Sequence, residues 1–255
     1  VIQIPSAILP AGEDITGDFD TVVKDLRELA DMGAKESPRV RFAYESLCFG
    51  TYSDTWSAAW EIVRAVDREN FGLCLDTFNI AGREWADPSA PSGKLPNADE
   101  ILAESLQRMV REIDVAKVFY VQVVDAERLD APLDEKHPFW VKGQKARMSW
   151  SRNCRLFACE EERGGYLPIV QVLKAICDEA GHGLGYKGWI SMELFNRSLW
   201  AEGEEVPREH AERAMKSWRR LVRAMEWEGK LEERVEDLKA VNDDSANGVD
   251  VLARL

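Results

Sequence analysis

Glu45, Asp76, Gln122 and Glu193 each close an apolar, β-prone run in this chain. The runs read Val40-Arg41-Phe42-Ala43-Tyr44-Glu45, Phe71-Gly72-Leu73-Cys74-Leu75-Asp76, Val118-Phe119-Tyr120-Val121-Gln122 and Trp189-Ile190-Ser191-Met192-Glu193. Three carboxylates and an amide carbonyl are hard oxygen ligands that suit a divalent cation, Mg²⁺ or Mn²⁺, with Co²⁺ or Zn²⁺ by looser fit. Brought to one place, the three acids repel one another unless a cation holds them. Taken singly, each is equally a solvated or salt-bridged strand-end residue. Repeated over four βα units, they read as a metal centre.

Their positioning depends on the elements between them. Near-continuous apolar strands separated by amphipathic helices indicate a parallel sheet covered on both faces. When such a sheet closes into a (β/α)8 TIM barrel, the carboxyl ends of its strands meet at one mouth, where active sites of that architecture lie. The alternation is regular. After a first strand, Val1-Ile2-Gln3-Ile4, a helical face is formed by Phe19, Val22, Val23, Leu26, Leu29 and Ala30, with Gly33 as its stop. Asp54 is placed to cap the next helix, with the stripe Trp56, Ala59, Trp60, Val63 and Val66. A Pro- and Gly-rich loop (Asp87 to Pro96) precedes a helix with Leu102, Leu106, Met109, Val110 and Ile113 inward. Two further stripes follow, one around Ile169, Val172, Leu173, Ile176 and Cys177, the other around Ala211, Ala214, Trp218, Leu221, Val222 and Met225.

That makes five βα units in residues 1–225. A closed barrel needs eight, so the expectation is the C-terminal part of an α/β TIM-barrel domain, with three units preceding Val1. Ile2 and Ile4 of the first strand and Ile190 and Met192 of the last are expected to be inward and partly uncovered. Residues 226–255 read as a charged helical tail or linker.

The segment from Asp125 to Tyr166 follows a strand's carboxyl end and far exceeds the ~2–6 residues usual for such a loop. Long structured loops in that position are lids or binding loops. It concentrates Lys142, Lys145, Arg147, Arg152 and Arg155 in an otherwise acidic chain. Ser151 and Arg155 are four apart and share a face on a helical turn. A guanidinium beside a hydroxyl grips a carboxylate, so a small anionic substrate is expected, unless the loop is merely a charged surface. Asn79, three residues after Asp76, either bonds substrate, orients Asp76 or serves the strand-to-helix turn. His137 belongs to the same lid; His182 and His210 read as surface residues.

Composition narrows the classes. A chain of 255 residues, 45% hydrophobic with nine Trp, can bury a sizeable core. A formal net charge of −13 disfavours nucleic-acid binding. No apolar run approaches membrane-spanning length. Five cysteines without CxxC spacing point to reduced thiols and a cytoplasmic setting. A homo-oligomer is compatible with all of this.

Several segments carry a family likeness: Ile2-Gln3-Ile4-Pro5-Ser6, Phe42-Ala43-Tyr44-Glu45, Gly72-Leu73-Cys74-Leu75-Asp76-Thr77-Phe78, Gln122-Val123-Val124-Asp125-Ala126 and Ser191-Met192-Glu193-Leu194-Phe195. The lid adds Met148-Ser149-Trp150-Ser151-Arg152 and Arg155-Leu156-Phe157. Together they resemble the 3-dehydroshikimate dehydratases of the xylose isomerase-like sugar isomerase/epimerase barrel superfamily. Gln122 and the lid motif carry the dehydratase part, since sugar epimerases typically have His at the third ligand position. The resemblance implies a divalent metal on Glu45, Asp76, Gln122 and Glu193, with Ser151, Arg155 and the lid's Arg147 toward the substrate. It implies conversion of 3-dehydroshikimate to protocatechuate and water, in quinate and shikimate breakdown. Bacterial members carry His three residues after the Asp ligand as the proposed base. Asn79 stands there in this chain, which leaves Glu45, Glu193 or His137 as the base. Two other readings remain open: a ketose isomerase or epimerase, and a barrel that binds a metabolite without catalysis, which Asn79 favours. A repair endonuclease is disfavoured by the charge and by the lack of a multi-His zinc set.

Overall fold

The computed structural model describes residues 1–10 and 13–229. Its strands, in chain order, are β1 (Ile2–Pro5), β2 (Phe42–Glu45), β3 (Phe71–Asp76), β4 (Val118–Val123), β5 (Asp125–Ala126), β6 (Arg155–Leu156) and β7 (Trp189–Met192). The α-helices are α1 (Phe19–Ala34), α2 (Trp56–Val66), α3 (Thr77–Glu84), α4 (Ala98–Glu112), α5 (Ala146–Cys154), α6 (Ile169–Cys177) and α7 (Val206–Ala224). As expected, β1, β2, β3, β4 and β7 form one sheet in that order with every pair parallel, so β1 and β7 are its edges.

The register decides which side chains share a face. Gln3 pairs with Ala43, Ala43 with Gly72, Asp76 with Gln122 and Gln122 with Ser191. Because strand side chains alternate, Glu45, Asp76 and Gln122 lie on that same face with Gln3, Cys74 and Ser191. Phe42, Tyr44, Phe71, Leu73, Leu75, Val121 and Val123 point the other way, into the main core beneath the helices. The assignment of Ile2, Ile4, Ile190 and Met192 to the inner face is therefore corrected. Ile4 pairs with Tyr44, Ile190 with Val121 and Met192 with Val123, all on the helix side, and Ile4 and Ile190 pack against the main core. Their expected partial exposure holds: Ile2 is 52% exposed and Ile4, Ile190 and Met192 are half-buried, with Trp189 at the other edge 48% exposed.

Two helix-boundary expectations also change. Gly33 lies inside α1, not after it. A Cβ there would come within 2.5 Å of the Phe42 ring, so its role is to let α1 approach the sheet. Thr55, not Asp54, caps α2, its hydroxyl accepting from the Ala58 amide at 3.2 Å. Asp54 is paired with Arg83 at 2.7 Å. Helix α3, which the apolar periodicity does not reveal, starts directly at the end of β3. Of the tail expected over 226–255, all from residue 230 on lies outside the described residues.

The lid is ordered by its own small sheet and by one indole. β5 and β6 pair antiparallel. Trp150 of α5 is fully buried, its ring against Phe78 of α3 (4.8 Å between centroids) and Tyr166 (6.1 Å), its N–H donating to the Glu127 carbonyl at 2.9 Å. At the lid's far end, buried Glu160 receives a two-pronged bond from Arg213 of α7, both contacts 2.8 Å.

Asp125 closes the lid's base: one carboxylate oxygen accepts the amides of Ala126 (2.7 Å), Leu167 (2.9 Å) and Tyr166 (3.2 Å). Burial pushes its pKa up to about 7, against the pull of those amides. A carboxyl whose folded pKa lies above its unfolded value contributes stability below the unfolded value and loses it as pH rises through the folded one. Asp125→Asn keeps an acceptor for the three amides and has no charge to bury. It should flatten the fall in Tm between pH 5 and 8; a Tm profile parallel to the parent's would remove Asp125 from that role.

Candidate active site

The mouth of the sheet is built by strand ends that turn at once into other structure. Asp76 ends β3 and also caps α3: its Oδ1 accepts the Asn79 amide at 2.8 Å. A carboxylate suits that position because the first turn of a helix presents unpaired N–H groups and a positive dipole end. The same turn aims the Asn79 side chain across to β2, where its Nδ2 donates to Glu45 Oε1 at 2.8 Å and its Oδ1 accepts the Cys48 amide at 2.9 Å. From β1, Gln3 Nε2 donates to the other Glu45 oxygen and to Gln122 Oε1, the latter at 3.3 Å. Gln122 Oε1 also accepts from the Cys74 thiol at 3.1 Å, and Gln122 Nε2 donates to Glu193 Oε1 at 2.6 Å.

Arg155 enters this ring from the lid. Its NH1 donates to Asp76 Oδ2 at 2.8 Å and to Glu193 Oε2, and its Nε donates to Ser151 Oγ at 2.9 Å. The guanidinium carbon stands 4.3 Å from the Phe78 ring centre, a cation–π distance. Arg155 is 2% exposed, Asp76 1%, Glu45 3% and Gln122 3%. Burial raises the Glu45 carboxyl to about 8, and Asp76 beside it pushes in the same direction. Burial likewise raises Glu193 to about 7, against the attraction of Arg155.

The structure thus brings Glu45, Asp76, Gln122, Glu193, Asn79, Ser151 and Arg155 together. It sends the other two candidates elsewhere. Arg147 donates to the carbonyls of Gly82 (2.6 Å) and Ala86 (2.7 Å), tying the lid to the end of α3. His137 accepts the Phe139 amide at 3.1 Å and lies tilted against that ring, within its own turn of the lid. The basic cluster is dispersed in the same way. Lys145 reaches the Gly50 carbonyl and Arg152 reaches Gln144, so only Arg155 of those five cations meets the acids. Asn79 orients Glu45 through its side chain and meets Asp76 only through its backbone.

Gln3 and Cys74 are the residues sequence reading missed. Each is a polar or thiol side chain at an inward position of an apolar strand, so period-2 alternation through Ile2-Gln3-Ile4 and Leu73-Cys74-Leu75 would have found them.

Among the described residues, no three His, Cys, Asp or Glu side chains stand as a ready coordination sphere. The reason is local: protein donors occupy the carboxylate oxygens, and the Arg155 guanidinium stands between Asp76 and Glu193. The donor chemistry nevertheless fits a hard dication. Three carboxylates against one guanidinium leave a net charge of −2 when all are ionised, in a space with almost no water to screen it.

Residues 1–221 match the family model described as the xylose isomerase-like TIM barrel. The chain is 54% identical over 222 residues to a Neurospora crassa protein named 3-dehydroshikimate dehydratase, covering 87% of this chain and 60% of that one. It therefore spans about 60% of the length of that relative. Among solved structures it is similar to a xylose isomerase-like TIM barrel/4-hydroxyphenylpyruvate dioxygenase fusion protein, with a TM-score of 0.61 and 24% identity over 91% of this chain and 29% of the other. The IolI protein, solved with a bound zinc atom, matches with a TM-score of 0.51 and 20% identity over 88% of this chain and 63% of its own. No helix among the described residues is long and apolar enough to cross a membrane. With its parallel sheet, its strand-end acids and a family match running through nearly every described element, the chain belongs to the xylose isomerase-like TIM barrel family.

Proposed function

We propose that this chain carries the catalytic centre of a 3-dehydroshikimate dehydratase, a carbon–oxygen lyase that takes one water from 3-dehydroshikimate and leaves protocatechuate. The observation that carries the reading is the 54% identity over 222 residues to the Neurospora protein of that name. The chemistry of the site supports it. Glu45, Asp76, Gln122 and Glu193 would hold a hard divalent cation (Mg²⁺, Mn²⁺ or Co²⁺), which would supply Lewis-acid polarisation of a ketone. Arg155, anchored at Ser151, pairs with the ring carboxylate and orients the ring.

The reaction removes a proton next to the ketone and a hydroxyl one carbon further on, and aromatisation makes the loss irreversible in practice. Glu193 is the better placed acceptor of that proton. Both glutamates are hydrogen-bonded at each oxygen, but the Glu193 side chain retains 21% exposure whereas Glu45 is 3% exposed. The role the His of bacterial relatives would play thus passes to a glutamate, while Asn79 serves as the positioning residue for Glu45. Five free thiols suit a reducing, cytoplasmic setting.

The test is ultraviolet detection of the aromatic product when metal-loaded full-length protein meets 3-dehydroshikimate. Arg155→Ala should lower kcat/KM at least tenfold, consistent with the ~1.5–3 kcal/mol of a charged hydrogen bond. Arg155→Lys keeps the charge without the planar fork and should recover only part. Full efficiency in Arg155→Ala would remove the anionic-substrate argument.

A further inference from the structure

We infer that Arg155 is an internal counter-cation that a divalent metal must displace from Asp76 and Glu193, so that metal binding releases the guanidinium to an anionic ligand. The inference rests on the metal-site reading above and adds a coupling between the two binding events.

The geometry is specific. Both carboxylate bonds of Arg155 come from one terminal nitrogen, NH1, one to Asp76 Oδ2 and one to Glu193 Oε2. The Nε–H is tied separately to Ser151 Oγ, and the guanidinium plane rests near Phe78 and Phe195. Arg155 therefore has contacts besides the two acids, the Ser151 hydroxyl and the aromatic walls, that can hold it when NH1 leaves those acids. NH1 bridges Asp76 Oδ2 and Glu193 Oε2, the place a dication bound through those same two oxygens would occupy, so the two compete for it.

Charge decides which state wins. Replacing a single positive charge by a dication lowers the excess negative charge among Glu45, Asp76 and Glu193. The displaced guanidinium remains buried and needs a new anion. A ligand carboxylate at the same mouth meets that need. Without metal, Asp76 and Glu193 satisfy Arg155, and an incoming carboxylate has to compete with them. Metal and carboxylate ligand should thus strengthen each other, and by linkage each must do so by the same factor.

The test measures binding, with no turnover. Mn²⁺ affinity is determined by calorimetry on the full-length protein, alone and with saturating shikimate, which carries the ring carboxylate but no ketone. The wild type should bind Mn²⁺ at least fivefold more tightly with shikimate present, and shikimate should gain equally from Mn²⁺. Arg155→Met, which removes the competing charge and keeps an apolar stem, should bind Mn²⁺ at least tenfold more tightly than wild type, with the coupling reduced to none. If Arg155→Met fails to fold by circular dichroism, the wild-type coupling still decides, together with the Arg155 Nε–H resonance, whose side-chain environment should shift on Mg²⁺ addition. Equal Mn²⁺ affinity in wild type and variant, or equal wild-type affinity with and without shikimate, overturns the inference and leaves the metal site standing. Absence of Mn²⁺ binding in both proteins overturns the metal-site reading and this inference with it.

Discussion

Asp76→Asn should abolish most of the dehydration activity proposed for the full-length protein, at least a hundredfold in kcat/KM, while leaving the metal-free protein nearly as stable as the parent. The two expectations have separate causes. Asn is as good a helix cap as Asp, and its Oδ1 can accept the Asn79 amide that Asp76 now holds at 2.8 Å. Arg155 loses its acceptor at Asp76 Oδ2, where an amide nitrogen can only donate, but keeps its bond to Glu193; relief of repulsion among three carboxylates facing one guanidinium offsets that loss. Stability measured by urea unfolding should therefore shift by no more than about 1 kcal/mol. Asp76→Ala loses the cap as well and should cost about 1 kcal/mol more. For activity the same change removes a proposed ligand outright, when disturbing even a ligand's supporting partner costs roughly 10–100-fold. A variant that loses several kcal/mol without metal would show that Asp76 is chiefly structural. One that keeps its turnover would show that the reaction does not use this carboxylate.

Trp150→Ala should cost about 3–5 kcal/mol, the range for deleting a buried aromatic side chain. The loss is large because the fully buried indole joins α5 in the lid to Phe78 on α3 and to Tyr166 at the lid's end. The truncation also strands the Glu127 carbonyl that the indole N–H now satisfies. Trp150→Phe restores most of the apolar contact but not that bond, and should lie about 1–3 kcal/mol below the parent. The functional consequence is specific. Ser151 follows Trp150 directly, and Arg155 begins β6 just after α5, so loosening the indole should lower kcat even where Trp150→Phe remains folded. Urea midpoints for stability, and kcat measured well below the unfolding transition, separate the two effects. If Trp150→Ala unfolds at the parent's midpoint, the lid is not held by this contact.

The strands and the acids at their ends were legible in the chain because both are local signals. Runs such as Phe71-Gly72-Leu73-Cys74-Leu75-Asp76 declare a strand buried on both faces, and parallel βα order places the ends of successive strands on one side. From this the set Glu45, Asp76, Gln122 and Glu193 follows without coordinates, and so does the lid, since no ordinary βα loop is as long as Asp125 to Tyr166. The helix stripes were equally local, apart from α3, whose short span at the mouth carries no clean apolar period.

Only the tertiary structure decided what each of those side chains touches. Arg155 meets Asp76 across 79 residues, Gln3 meets Glu45 across 42, and Asn79 meets Glu45 across 34. Such pairings depend on strand register, where a slip of one residue would exchange the two faces of the sheet. That same register turned Ile4 and Ile190 to the helix side and put Gln3 beside the acids. Arg147 and Arg155 carry the same charge in the same lid, yet one is bound by the carbonyls at the end of α3 and the other by carboxylates. Residue type supplies a guanidinium in both cases. Which buried oxygen it must satisfy is settled by packing, because a charge taken out of water has to bond to whatever acceptor the fold brings within reach.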